Sequence, residues 1–99
     1  MVQTRKITQI SNLWENSYQS LLFAKEEDDE QRVSYFKALY LLTENFLAYA
    51  REYKDLPISA IIGKTIVTCL SLPNIDDDLQ FALALRTFLY HLGYCSIRR

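Results

Sequence analysis

The chain has 99 residues and a mass of 11.6 kDa, enough polypeptide for one core and too little for two. Hydrophobic residues make up 49% and charged residues 23%, with two glycines and two prolines, which excludes a disordered tail and argues against a turn-rich β-sandwich. Eleven basic residues against twelve acidic ones leave a formal charge of -1, so neither a strongly basic nucleic-acid module nor a polybasic membrane binder is expected.

Met1 to Lys6 carries basic charge, but the Ile7-Thr8-Gln9-Ile10-Ser11-Asn12 that follows is not the apolar core of a signal peptide. A first helix is predicted over about 7–24. Ile7, Ile10, Trp14, Tyr18, Leu21 and Leu22 recur in steps of three and four and form an apolar stripe, with Trp14 expected in the core. Asn12, Glu15, Asn16 and Gln19 take the other side.

Lys25-Glu26-Glu27-Asp28-Asp29-Glu30 breaks that pattern. Its carboxylates lack the alternating ligand spacing and central glycine of a calcium loop. The run therefore reads as a solvated turn whose last acids cap the next helix, where aligned N–H groups favour anions.

The second helix, about 29–54, is the longest and carries two adjacent stripes. Tyr35, Leu39, Leu42, Phe46, Tyr49 and Tyr53 form a heptad-like seam, and Phe36, Tyr40, Leu47 and Ala50 lie beside it. A helix apolar over so much of its circumference touches neighbours on more than one side. Leu41 falls among the polar positions, four residues from Lys37 and three from Glu44.

Asp55-Leu56-Pro57 ends that helix, because the residue before a proline is driven from the α region. A third helix is predicted over about 58–71, opening near Pro57, with Ile58, Ile61, Ile62, Thr65, Ile66, Cys69 and Leu70 on one face. Thr65 to Leu70 is β-branched enough to make a strand, but the chain offers no second strand to pair with it. The fourth helix, about 75–92, takes Asn74 as its expected N-cap and Asp76, Asp77 and Asp78 in its first turn. Leu79, Ala82, Leu83, Leu85, Phe88, Leu89 and Leu92 give it an apolar face, and Gly93 is expected to stop it. The reading is all-α, a four-helix bundle-like single domain spanning residues 1–99.

Catalytic and cofactor chemistry is sought and not found. Gly63-Lys64-Thr65 resembles the end of a phosphate-binding loop, but position 58, where that loop needs another glycine, is Ile. Gly63 reads instead as a small residue at a close helix contact. His91, Cys95 and Cys69 could be three zinc ligands, yet Gly93 interrupts the spacing, so an exposed histidine and two reduced thiols are expected. Of the seven tyrosines, Tyr35, Tyr40, Tyr49 and Tyr53 repeat at helical spacing among leucines and phenylalanines, and the basic residues are scattered, which points to core or interface and not to base stacking. A recognition helix opening on Asp76-Asp77-Asp78 would be repelled by phosphates.

No cofactor, no metal and no enzymatic activity are expected. The expected function is a small protein–protein interaction module (adaptor, regulator or assembly subunit) in the cytoplasm. It would act as a homodimer, with a protein partner and neither membrane nor nucleic acid. Its interface is expected on the second helix at Lys37, Leu41, Glu44, Tyr49 and Tyr53, apolar and aromatic anchors ringed by the polar Lys37, Glu44, Arg51 and Glu52. The alternatives are a small enzyme whose site assembles from Glu44, Arg86 and His91, or a nucleic-acid-associated regulator with basic termini ending in Arg98 and Arg99.

Overall fold

The amphipathic periods do become helices. The computed structural model describes residues 4–73 and 75–94 and folds them as α1 (Thr4–Glu26), α2 (Glu30–Glu52), α3 (Ile58–Leu70) and α4 (Asp78–His91). The β-branched Thr65–Leu70 stretch continues α3 as helix. Cys95, Arg98 and Arg99 lie outside the described residues, as does Asn74.

The ends are set by local chemistry. Asp28 takes φ +55° after α1. Its N–H donates to the Lys25 carbonyl, and the Asp29 N–H donates to the Ala24 carbonyl. That is the paired closure of a Schellman motif, with Asp28 where glycine is commonest. Asp29 then caps α2 by accepting the Arg32 N–H at 3.2 Å. The same closure recurs after α4, where Gly93 (φ +82°) donates to Tyr90 and Tyr94 to Leu89. α1 begins three residues before the predicted start at 7. α2 stops at Glu52 rather than 54, because Tyr53 leaves the helical region at φ -113°, ψ 64°. α4 starts at Asp78, not 75, because Asp77 is the N-cap and accepts the Gln80 N–H at 3.0 Å. Pro57 is likewise the cap residue of α3 rather than its first turn.

α2 is the hub. It packs against α1, α3 and α4, whereas α1 approaches α4 only lightly. Among the described residues the α3 backbone comes within 8 Å, Cα to Cα, of neither α1 nor α4. Phe46 and Leu42 of α2 are fully buried with Ile10 of α1, Ile61 of α3, Phe88 of α4 and Leu92, the residue that caps α4. The Phe46 and Phe88 rings meet edge to face at 5.6 Å, a favoured aromatic geometry. Two hydroxyl pairs tie the hub outward, Tyr35 to Thr87 of α4 and Tyr49 to Thr68 of α3, each at 2.7 Å. The buried Ser17, Thr43 and Thr65 hydroxyls donate to carbonyls one turn back in their own helices, so no polar group is stranded by their burial.

Because the outer helices each lean on α2, they bury narrower stripes than their sequences suggest. On α1 the buried residues are Ile10, Ser17, Leu21 and Ala24, while Trp14 is only half-buried and Tyr18 and Leu22 are exposed. On α4, Phe81, Ala84 and Phe88 are covered, as is Leu92 at its C-cap, and Leu79 and Ala82 face solvent. Leu70, expected on the covered face of α3, is also exposed. Gly63 is at no close helix contact, since a Cβ built on it would meet nothing within 4 Å.

Candidate interaction groove

α1 and α2 are antiparallel neighbours whose outer flanks do not close on each other, and a furrow runs along their seam. At one end it is lined by Ile7 and Ser11 of α1 and by Leu47, Ala50, Arg51, Lys54 and Asp55, around a volume of about 550 Å³. The middle, about 380 Å³, lies between Ser11, Trp14 and Glu15 on one wall and Glu44, Leu47, Ala48 and Arg51 on the other. The far end, about 280 Å³, is walled by Trp14, Glu15, Tyr18, Gln19 and Tyr40. Ser11, Leu47 and Arg51 belong to the first two volumes and Trp14 and Glu15 to the last two, so the three form one groove.

Helical spacing builds both walls. Ser11, Glu15 and Tyr18 of α1 follow one another by four and three, as do Tyr40, Glu44 and Leu47 of α2. Tyr40 is the aromatic keystone, stacked on Trp14 at 5.9 Å and tilted against Tyr18 at 5.7 Å. Burial and the neighbouring Glu44 carboxylate push the Tyr40 hydroxyl's pKa up, and that hydroxyl donates a long 3.4 Å hydrogen bond to Glu44 Oε2. The Trp14 indole N–H sits near enough to Tyr40 to offset part of that rise. It forms no hydrogen bond of good geometry and is a buried donor without an acceptor. The floor is apolar and the rim carries both signs: Glu15 and Glu44 in the middle, Arg51 and Lys54 with Asp55 towards the α2 C-terminus.

The five residues expected at an interface are not gathered on one face. Glu44 is exposed and lines the groove. Lys37 is half-buried in a separate polar cleft with Lys25, Asp28, Glu30 and Asp76. Leu41 is half-buried against the core, as is Tyr49, whose hydroxyl is engaged by Thr68. Tyr53 is 37% exposed and lies under the Lys64 ammonium, 4.8 Å from its ring centre. Sequence periodicity named Trp14, Tyr18, Tyr40 and Leu47 as apolar-stripe residues and Arg51 as a rim residue of the second helix, but gave Ser11 and Ala48 no role, because a groove is a property of two helices and periodicity describes one at a time.

Chemically this groove can bind, through apolar surface and through polar groups such as the Tyr40–Glu44 pair. Cys69 is fully buried at the far side of α2, where Asn45 Nδ2 donates to its sulfur at 3.8 Å. Burial pushes the thiol up to about 11. Gly63-Lys64-Thr65 lies inside α3 with Thr65 buried, so it forms no phosphate loop. Among the described residues no three His, Cys, Asp or Glu side chains converge as a metal site. Glu44 lines the groove, whereas Arg86 and His91 stand on α4, five residues or about 140° apart around it. No described helix is long and apolar enough to cross a membrane. Compared with family models, curated proteins and solved structures, the chain matches none.

Proposed function

We propose that the protein is a non-catalytic protein–protein interaction module whose working surface is the α1–α2 groove. The observation that carries this reading is a continuous apolar floor between two helices, walled by Trp14, Tyr18 and Tyr40 and rimmed by charges of both signs. Aromatic anchors inside a polar rim are the composition of an interface core, and a groove between antiparallel helices accepts the apolar face of a third. Mixed charge on the rim favours a protein over a phosphate backbone, which requires clustered cations. The free Cys69 thiol fits a reducing compartment such as the cytoplasm.

The test places a photo-crosslinking residue at Ala48, exposed on the groove wall, and in a second variant at Gln31, exposed outside it. Crosslinks to protein, in cells, are expected from position 48 and not from position 31. Equal capture from both positions, or none from 48, would refute the proposal.

A further inference from the structure

Resting on that reading of the groove, we infer that its occupant is a second copy of this chain, docked antiparallel about a two-fold axis that lies in the interface and passes over the groove at the height of Leu47 and Ala48. The charges of the groove's middle stretch select this occupant and this axis. Glu44 and Arg51 are both exposed, both line the groove, and flank Leu47 and Ala48 symmetrically. Seven residues separate them, two helical turns or about 10.5 Å along α2. A two-fold axis perpendicular to α2 midway between them exchanges position 44 with position 51. Glu44 of each copy then faces Arg51 of the other, and the pairing occurs twice, as an isologous interface requires. Glu15, in the same stretch of the groove, comes to the height of the opposing Arg51 and adds to the attraction.

The other face-to-face arrangement, with the axis parallel to the helices, keeps each residue at its own height. It sets Glu44 and Glu15 of one copy against the same acids of the other, and like charges in an interface are repelled. The residues nearest the perpendicular axis suit a close approach. Ala48 is small and exposed, and Leu47 is half-buried with its remaining surface in the groove. Beyond them the aromatic wall of Trp14 and Tyr40 and the Ile7 end of the furrow give the partner's α1 and α2 apolar surface to cover. Because the pairs lie at the rim, they set register and orientation, while the floor supplies the burial.

The inference is tested on the full chain by sedimentation equilibrium with charge-reversed variants at two exposed positions. The wild type is expected at twice 11.6 kDa, with association weakening as salt rises. Glu44→Arg alone sets arginine against Arg51, and Arg51→Glu alone sets glutamate against Glu44. Each is expected to weaken self-association at least about tenfold with helix content unchanged by circular dichroism. An equimolar mixture of the two single variants restores both opposite-charge contacts, as does the double variant, and both are expected to recover the dimer. A wild type that stays monomeric, a dimer indifferent to both reversals, or a mixture that gains nothing overturns the two-fold arrangement. Crosslinks from position 48 solely to a different protein would also overturn it while leaving the groove's binding role intact, and no crosslink there would remove both.

Discussion

Two residues hold conformations better suited to each other's side chain. Gly63 sits inside α3, exposed, where a methyl group would meet nothing within 4 Å, so its backbone freedom is lost on folding with no compensating contact. Asp28 occupies a left-handed position at φ +55° that glycine adopts without strain. Gly63→Ala and Asp28→Gly are each expected to stabilise the fold by about 0.5–1 kcal/mol, raising the thermal midpoint by roughly 2–8 °C for a chain this size. A scan followed by circular dichroism checks both, and a fall in either midpoint contradicts the assignment. Cys69 supplies the pH-dependent residue. Its pKa is raised by burial from about 9 to about 11, so the folded state retains the thiol proton after the unfolded state has lost it. The stabilisation is complete below the unfolded value and is lost as pH rises through the folded one, so stability falls between about pH 9 and 11. In a Cys95→Ser background, alkylation of Cys69 at pH 8 is expected to follow the opening of α3, with the thiol of the closed state almost inert. That Cys69 is covered was legible in its place on the apolar face of α3. That Trp14 is not fully covered was illegible, because its stripe on α1 is wider than the one neighbour that packs there.

Helix type was readable from period for α1, α2 and α4, whereas for the β-branched Thr65–Leu70 it rested on the lack of a partner strand. Of the helix ends that shifted, the start of α4 is the most instructive. Asn74 and three successive aspartates all suit the start of α4, and propensity ranks Asn and Asp nearly equal as caps. Only the folded geometry selects Asp77, whose carboxylate reaches the Gln80 N–H. Asp77→Ala is therefore expected to cost about 0.5–2 kcal/mol, while Asp76→Ala, one residue before the cap, is expected to change the urea midpoint hardly at all. Equal losses at both positions would mean that charge near the helix end, rather than the cap bond, is what matters. The faces each helix leaves open were harder to foresee. Two adjoining stripes on α2 announced several neighbours, yet which flank each neighbour covers depends on packing angles that no single-helix pattern encodes. That is why two residues expected around one interface part company: Tyr49 is tied to Thr68 within the chain, whereas Arg51, three residues after Ala48, lines the groove.

For the whole molecule the governing fact is that every other helix packs on α2, and that among the described residues the α3 backbone comes close to no other helix. Local opening follows such differences in packing. Amide hydrogen exchange of α3 is expected to be distinctly faster than that of the α2 centre around Leu42 and Phe46, and uniform protection across both would contradict the hub arrangement. The same arrangement dictates the order in which the chain can assemble. α1 and α2 meet across a turn of only a few residues, and α3 follows α2 as closely, so these dockings close short loops. The Tyr35–Thr87 pair, 52 residues apart, joins α4 to the hub across a far longer loop with a larger entropic cost. Of the two short-loop dockings, α1 with α2 makes the more extensive contact, so the folding nucleus is expected in that hairpin. Variants that weaken that seam are then expected to slow folding in stopped-flow measurements, and variants that weaken the α4 contacts mainly to hasten unfolding. That would set the lifetime of the native state at the fourth helix and the speed of its formation at the first two.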